Sequence, residues 1–193
     1  MAKARPITGL DAHAPTGRNA RIIARIRLDE LYDWSRYVDD VYHGRELHNL
    51  RIAAKRLRYT LEIFEAVLSD ASLSIVKELE MIQEELGALH DSDVMIALLR
   101  LCLGGQDGST VPDQTTSHPG EQIALPPELV ADVAEPAVAP IAEERYGLEQ
   151  FLLRCQRNHE EQFNTFQQHW QRLQARDFRH EVLNILESVR VAS

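Results

Sequence analysis

The sequence predicts an all-α protein, a bundle of long antiparallel helices, and three observations carry that prediction. Apolar residues recur at three- and four-residue spacing over most of the chain. No stretch alternates apolar and polar residues as a half-buried strand does. Between Gly17 and Val111 there is no proline, and from Arg18 to Leu103 the only glycines are Gly44 and Gly87, which leaves room for uninterrupted helices.

The elements follow in order. A first helix is expected from about Arg18 to Tyr42, where "IIARIRLDELYDWSRYVDDV" keeps helical spacing, and Gly44 supplies the turn after it. A second spans roughly Glu46 to Leu68, with Leu47, Leu50, Ala54, Leu57, Leu61, Phe64 and Leu68 in one apolar stripe. Asp70 or Ser72 can cap a third, running through "LSIVKELEMIQEELGALHDSDVMIALLRLCL"; Gly87 inside it costs about 1 kcal/mol relative to alanine, so a bend or break is expected near "GALHD". A fourth runs from about Pro140 or Ala142 to Leu173, and a short fifth from Asp177 to Arg190. Residues 1–17 read as a flexible basic segment, and residues 18–193 as a single helical domain.

That domain carries an insertion at about 104–142. Six of the eight prolines lie between Pro112 and Pro140, among glycines, serines and threonines that break helix and strand alike. From Leu101 to Glu144 there is no lysine or arginine, whereas Asp107, Asp113, Glu121, Glu128, Asp132, Glu135, Glu143 and Glu144 carry eight negative charges. The net charge of −9 is therefore concentrated there, and the rest of the chain is near neutral with its cations bunched. An acidic total would argue against a polyanion partner; the bunching restores one. Cys102 and Cys155 have neither disulfide-scaffold nor zinc spacing, and no run approaches the roughly 20 apolar residues that cross a bilayer, so the expected setting is cytoplasmic with no membrane partner.

Around the second helix from the apolar stripe, His48, Arg51, Lys55 and Arg58 form a second row, with Arg45, Arg56 and Tyr59 further round. Close cations on one face repel one another, and Arg51–Arg58 contains no carboxylate, so acids must come from another helix or an anion from outside; Glu62 can serve only the Arg58 end. Arg18, Arg21 and Arg25 repeat the theme in the first helix, Arg154 and Arg157 in the fourth, and Arg172, Arg176 and Arg179 near the end. Side by side, such rows would line one groove. Guanidinium forks suit phosphate oxygens, and several in line suit an extended polymer charged at every unit. Aromatics make up 6% of the chain and Tyr59 alone stands among these arginines, so a stacking platform for bases is poorly supplied.

These residues resemble a family. "ELHNLRIAAKRLRYTLEIFEAVL" followed by "LEMIQEELGALHDSDVMIALL" is similar to the CHAD family, the conserved histidine alpha-helical domain. His48, Arg51, Lys55, Arg56, Arg58 and Tyr59 match the first part of its signature; Gln83, Leu86, Gly87 and Asp91 match the second. The resemblance is strong over about residues 20–101 and weak over "FLLRCQRNHEEQFNTFQQHWQRL". It implies a helical domain that binds inorganic polyphosphate in a basic groove without catalysis, sometimes at polyphosphate granules. Many relatives have two related halves where this chain has one copy of the signature, which implies a compact variant or a groove completed by a second subunit in a homodimer.

The expected ligand is thus inorganic polyphosphate or another polyanion, held by Arg18, Arg21, Arg25, Arg45, His48, Arg51, Lys55, Arg56, Arg58, Tyr59, Arg154 and Arg157, with no catalytic residue, metal or cofactor. Alternatives are a nucleic-acid-binding helical protein, a protein-interaction bundle and a metal-dependent phosphohydrolase. The last would draw on His90, Asp91 and Asp93, whose spacing is not a metal signature; the plainer expectation is that Asp91 or Asp93 caps a helix or pairs with an arginine of the second helix.

Overall fold

The computed structural model describes residues 3–41, 43–104 and 142–188, and within them the architecture is an all-α bundle without strands. Five α-helices follow in order: α1 (Thr16–Asp33), α2 (Gly44–Ile63), α3 (Ser72–Cys102), α4 (Ala142–Ala175) and α5 (Phe178–Glu187). Short 3-10 turns at Ser35–Tyr37 and Glu65–Val67 follow α1 and α2. Contacts progress in opposite directions along packed helices: Arg51 meets Gln83 and Arg58 meets Glu80 between α2 and α3, Ser92 meets Gln162 and Glu78 meets His169 between α3 and α4, and Arg25 meets Glu187 and Asp29 meets Arg179 between α1 and α5, so each of these pairs is antiparallel.

The predicted stripe of α2 faces the core. Leu47, Leu50, Ala54, Leu57 and Leu61 are buried, Leu68 joins them from beyond the helix, and Phe64 packs against the cluster half-buried. Leu28 and Leu31 of α1, Leu79, Ile82 and Leu86 of α3, Phe166 and Trp170 of α4, and Phe178 and Leu186 of α5 complete it. Each such side chain contributes on the order of 2 kcal/mol by leaving water. Tyr32 crosses from α1 to Trp170 at 6.1 Å between ring centroids, and burial pushes its hydroxyl pKa up to about 12.

Several boundaries differ from those expected. α1 stops at Asp33, where the Ser35 hydroxyl donates to the Tyr32 carbonyl at 2.8 Å and the backbone tightens to 3-10. Val38 is buried even so, because a connection can supply apolar residues with helix-like spacing. α2 ends at Ile63, with Phe64 turning the chain out of the helix. The cap position of α3 is Ala71, without a side-chain cap bond, in place of Asp70 or Ser72. α3 itself runs unbroken through Gly87, held between α2 and α4 on its two sides.

α5 begins where expected. Asp177 takes a left-handed φ of 53° and its carboxylate accepts from the His180 amide at 3.3 Å, but the helix ends at Glu187. Arg190 and residues 105–141, nearly all of the expected insertion, lie outside the described residues. In the segment expected to be flexible, Arg5 makes a two-bond pair with Asp33, at 2.7 and 2.6 Å. Among the described residues, no helix is long and apolar enough to cross a membrane. Cys102 and Cys155 are free thiols.

Candidate functional site between the second and third helices

Arg51 and Arg58 point from α2 toward α3 and line a groove of about 390 Å³ with Glu80, Gln83, Glu84, Gly87, Ala88 and Asp91. The α3 positions fall at spacings of three and four, so one face of that helix supplies the opposite wall. Arg58 meets acids at both ends: its Nη1 donates to Glu80 Oε1 at 3.3 Å, and its Nε lies 3.5 Å from Glu62 Oε1. Glu62 therefore serves the Arg58 end as expected, and α3 provides a second acid.

Arg51 is held differently. Its Nε donates to the Gln83 backbone carbonyl at 3.3 Å, and its guanidinium lies over Gly87, where a Cβ would sit 3.4 Å from that same nitrogen. A Cβ there would be in ordinary van der Waals contact, so it is a side chain larger than alanine's that the guanidinium would exclude. Gln83 turns its own amide back to the Leu79 carbonyl at 2.9 Å and leaves the groove to Arg51. Two separate sequence segments, "HNLRIAAKRLR" and "QEELG", thus meet in one contact. Among the described residues, Arg51 has no carboxylate partner within ion-pair distance.

Lys55 and Tyr59 occupy the outer edge of this face. The Lys55 ammonium is 5.5 Å and the Arg58 guanidinium 5.0 Å from the centre of the half-exposed Tyr59 ring, close enough for cation–π attraction. One turn before Arg51, His48 packs against His90 of α3 with ring centroids 4.9 Å apart and the planes tilted by 45°, and its Nδ1 is shielded from solvent with no hydrogen-bond partner. Burial, then His90 and Arg51, hold the His48 pKa below its ordinary 6.5.

The remaining predicted residues are placed elsewhere. Arg56 turns to the other side of α2 and, with Arg27, grips the buried Glu30 of α1; the Arg27 bond is 2.6 Å. Arg21 donates from Nε to the Leu186 carbonyl at 2.7 Å, near the end of α5, and Arg25 pairs with Glu187 at 2.7 Å. Arg18 and Arg45 are exposed. Arg154 and Arg157 are exposed near the start of α4, and Arg154 lies over Phe151. Their level corresponds to the last turns of α3, on the order of 15 Å along that helix from Arg51. Of the α2 row, Arg51 and Arg58 line the groove itself, so the arginine rows of α1 and α4 do not join it.

The His90–Asp91–Asp93 stretch is divided among three neighbours. His90 faces His48, Asp91 lines the groove, and Asp93 accepts from His159 of α4 at 2.8 Å. Among the described residues, no group of three or more His, Cys, Asp or Glu side chains is placed to hold a metal ion.

A cluster that sequence reading missed lies on the opposite side of α3. His169 of α4 places Nδ1 2.7 Å from Glu85 and Nε2 3.0 Å from Glu78, and Arg176 adds a 2.9 Å bond to Glu78. With a carboxylate at each ring nitrogen, the protonated ring, which donates from both, is the favoured form. The bond to Glu85 and, against the opposing effect of burial, the bond to Glu78 raise the His169 pKa above its ordinary 6.5. The only sequence trace was Glu78 and Glu85 seven residues apart, on one face of α3.

The CHAD domain model matches residues 2–100, which contain the α2 row, the α3 wall and the Gly87 contact between them. The chain belongs to the CHAD domain family. The CHAD match ends near the close of α3, so α4 and α5 lie beyond it. No curated protein and no solved structure matches this CHAD chain.

Proposed function

We propose that this CHAD chain binds inorganic polyphosphate without catalysis, along the α2 face that Arg51, Lys55 and Arg58 present. The observation that carries this reading is that Arg51 and Lys55, one turn apart, have no carboxylate partner among the described residues, while the backbone of α3 holds Arg51 in place. The row from Arg51 to Arg58 covers seven residue steps of helix, about 10 Å, so it contacts a run of consecutive phosphates. Guanidinium and ammonium groups bind the oxygens, and affinity falls as salt rises. Glu80, Glu84 and Asp91 oppose it, so a ligand gains Arg58 in competition with Glu80 and Glu62. Association with polyphosphate granules in the cytoplasm, and a groove completed by a second copy, belong to the same reading.

The exposed Tyr59 between two cations is the one feature that favours nucleic acid, since it could receive a base. Titration with length-defined polyphosphate, duplex DNA and single-stranded RNA at matched phosphate concentration separates the two. The expected result is tighter binding of polyphosphate, growing with chain length and lost in the folded Arg51→Gln, Lys55→Gln, Arg58→Gln variant. Equal or tighter nucleic-acid binding across salt would reject the preference, and unchanged affinity in the triple variant would move the site elsewhere. Incubation of polyphosphate with the protein and Mg2+ should leave its length unaltered.

A further inference from the structure

Next to the groove, one turn before Arg51 on α2 and one turn beyond Gly87 on α3, two imidazoles meet. His48 and His90 face each other from α2 and α3 at 4.9 Å, and the Nδ1 of His48 is shut off from water without a hydrogen-bond partner. Such a pair cannot take two protons cheaply, because the second charge would sit against the first and against Arg51 one turn on, about 4.5 Å along the helix. An oxyanion on Arg51 reverses that balance: its charge favours the protonated rings, which then add donors to it.

From this geometry we infer that His90, packed against His48, extends the anion site one turn beyond Arg51 and makes phosphate binding take up a proton. The inference rests on the proposed polyphosphate site and adds to it a residue, His90, and a dependence on pH. The charged and titratable groups near the pair are few. On α2 they are Arg51 and Arg45; on α3, Asp91 beside His90, and Asp93 one turn on. Asp93 is engaged by His159 of α4, and ahead of α2 His43 lies 3.4 Å from Asp40. Asp91 is the carboxylate that lines the groove at this level.

The sign follows from where the free protein starts. Burial and its cationic neighbours keep His48 below 6.5, so near pH 7.5 the ring is mostly neutral before ligand arrives. Bound phosphate raises its protonation midpoint, and by reciprocity protonation raises phosphate affinity. Affinity therefore climbs as pH falls from 7.5 and levels off once the free protein is itself protonated. A one-unit rise on one ring limits the gain to about tenfold.

The test is the affinity for long-chain polyphosphate, whose end groups are a negligible fraction of its charge, measured from pH 7.5 to 5.8 in the wild type, His90→Gln and His48→Gln. The wild type should bind roughly three- to tenfold more tightly at the acid end, within that one-unit limit. Each variant should bind with a much flatter profile while keeping its helical spectrum. Should a variant unfold, the wild type still decides: the His48 ring-proton titration, followed by NMR, should move to higher pH on adding polyphosphate. An unmoved His48 titration, or a His90→Gln profile as steep as wild type, overturns the proton-linked subsite while leaving polyphosphate binding intact. No polyphosphate binding at any pH overturns both readings together.

Discussion

His169→Leu tests whether a protonated histidine fastens α4 to α3. The substitution keeps an apolar body of similar size and removes the donors to Glu85 and Glu78 at 2.7 and 3.0 Å. Hydrogen bonds to charged groups contribute about 1.5–3 kcal/mol each, and stranding a buried partner adds to the loss. Two effects reduce the sum: Glu85 is 24% exposed and regains some water, and Glu78 keeps Arg176. About 2–3 kcal/mol of destabilisation near pH 6 is expected, or roughly 5–10 °C in Tm for a chain of this size.

The pH dependence has a definite sign. His169 has a raised pKa in the folded state, so its contribution is fully present below the unfolded value of 6.5 and is lost as pH rises through the higher folded value. Burial pulls Glu78 upward, yet the bonds from His169 and Arg176 win and leave it below its ordinary 4.5. Its contribution is therefore present above 4.5 and lost as pH falls through the depressed value. Urea unfolding of wild type and variant should show the largest difference between pH 5 and 6.5 and a much smaller one at pH 9. An equal difference at pH 6 and pH 9 would refute the ionic account and reduce His169 to a space-filling side chain.

Four other substitutions, at three positions, probe the α2 contacts. Gly87→Ala should raise stability by about 1 kcal/mol through helix propensity, since the new Cβ makes only ordinary contact with Arg51; Gly87→Leu should instead dislodge Arg51 and weaken polyphosphate binding, as thermal melts and titrations of both would establish. Glu30→Gln leaves Arg27 and Arg56 facing a neutral amide in a buried position, and chemical denaturation should register a loss of about 2–4 kcal/mol. Glu80→Gln removes one of the two acids on Arg58, an exposed pair whose strength is about 0.2–1 kcal/mol, and leaves Glu62, so polyphosphate should bind up to about fivefold more tightly at low salt; weaker binding would mean that Glu80 helps to hold the ligand.

Much of this architecture is legible in the residues, and the failures have physical causes. The α2 stripe could be read because every third or fourth residue from Leu47 to Leu61 answers to one neighbour surface. The end of α1 could not: Val38 is core in a 3-10 connection, and spacing alone does not separate that from another helical turn. Gly87 suggested a bend or break because propensity is local, whereas the packing of α2 and α4 that keeps α3 continuous is not. The same limit governs the site. Spacing places Arg51, Lys55 and Arg58 on one face, but the engagement of Arg56 by Glu30, 26 positions earlier, depends on which helix covers that side. His169 looked like one polar residue among many in α4, and only the α3–α4 register brings two glutamates to it.

α3 is written on two sides. Glu80, Glu84 and Asp91 look toward arginines of α2, while Glu78, Glu85 and Asp93 look toward histidines of α4. The two sets interleave, so the same residue type is assigned to one neighbour or the other purely by its place in the count. Inserting or deleting one residue between them would turn everything downstream by about 100°. Acids meant for histidine would swing away, and Gly87 would leave the guanidinium it accommodates. Exposed positions such as Met81 and Met95 can drift in identity, but the number of residues from Glu78 to Asp93 cannot. In this helix length is inherited more strictly than spelling, and variants that differ by a single-residue gap here should be lost even where many substitutions survive.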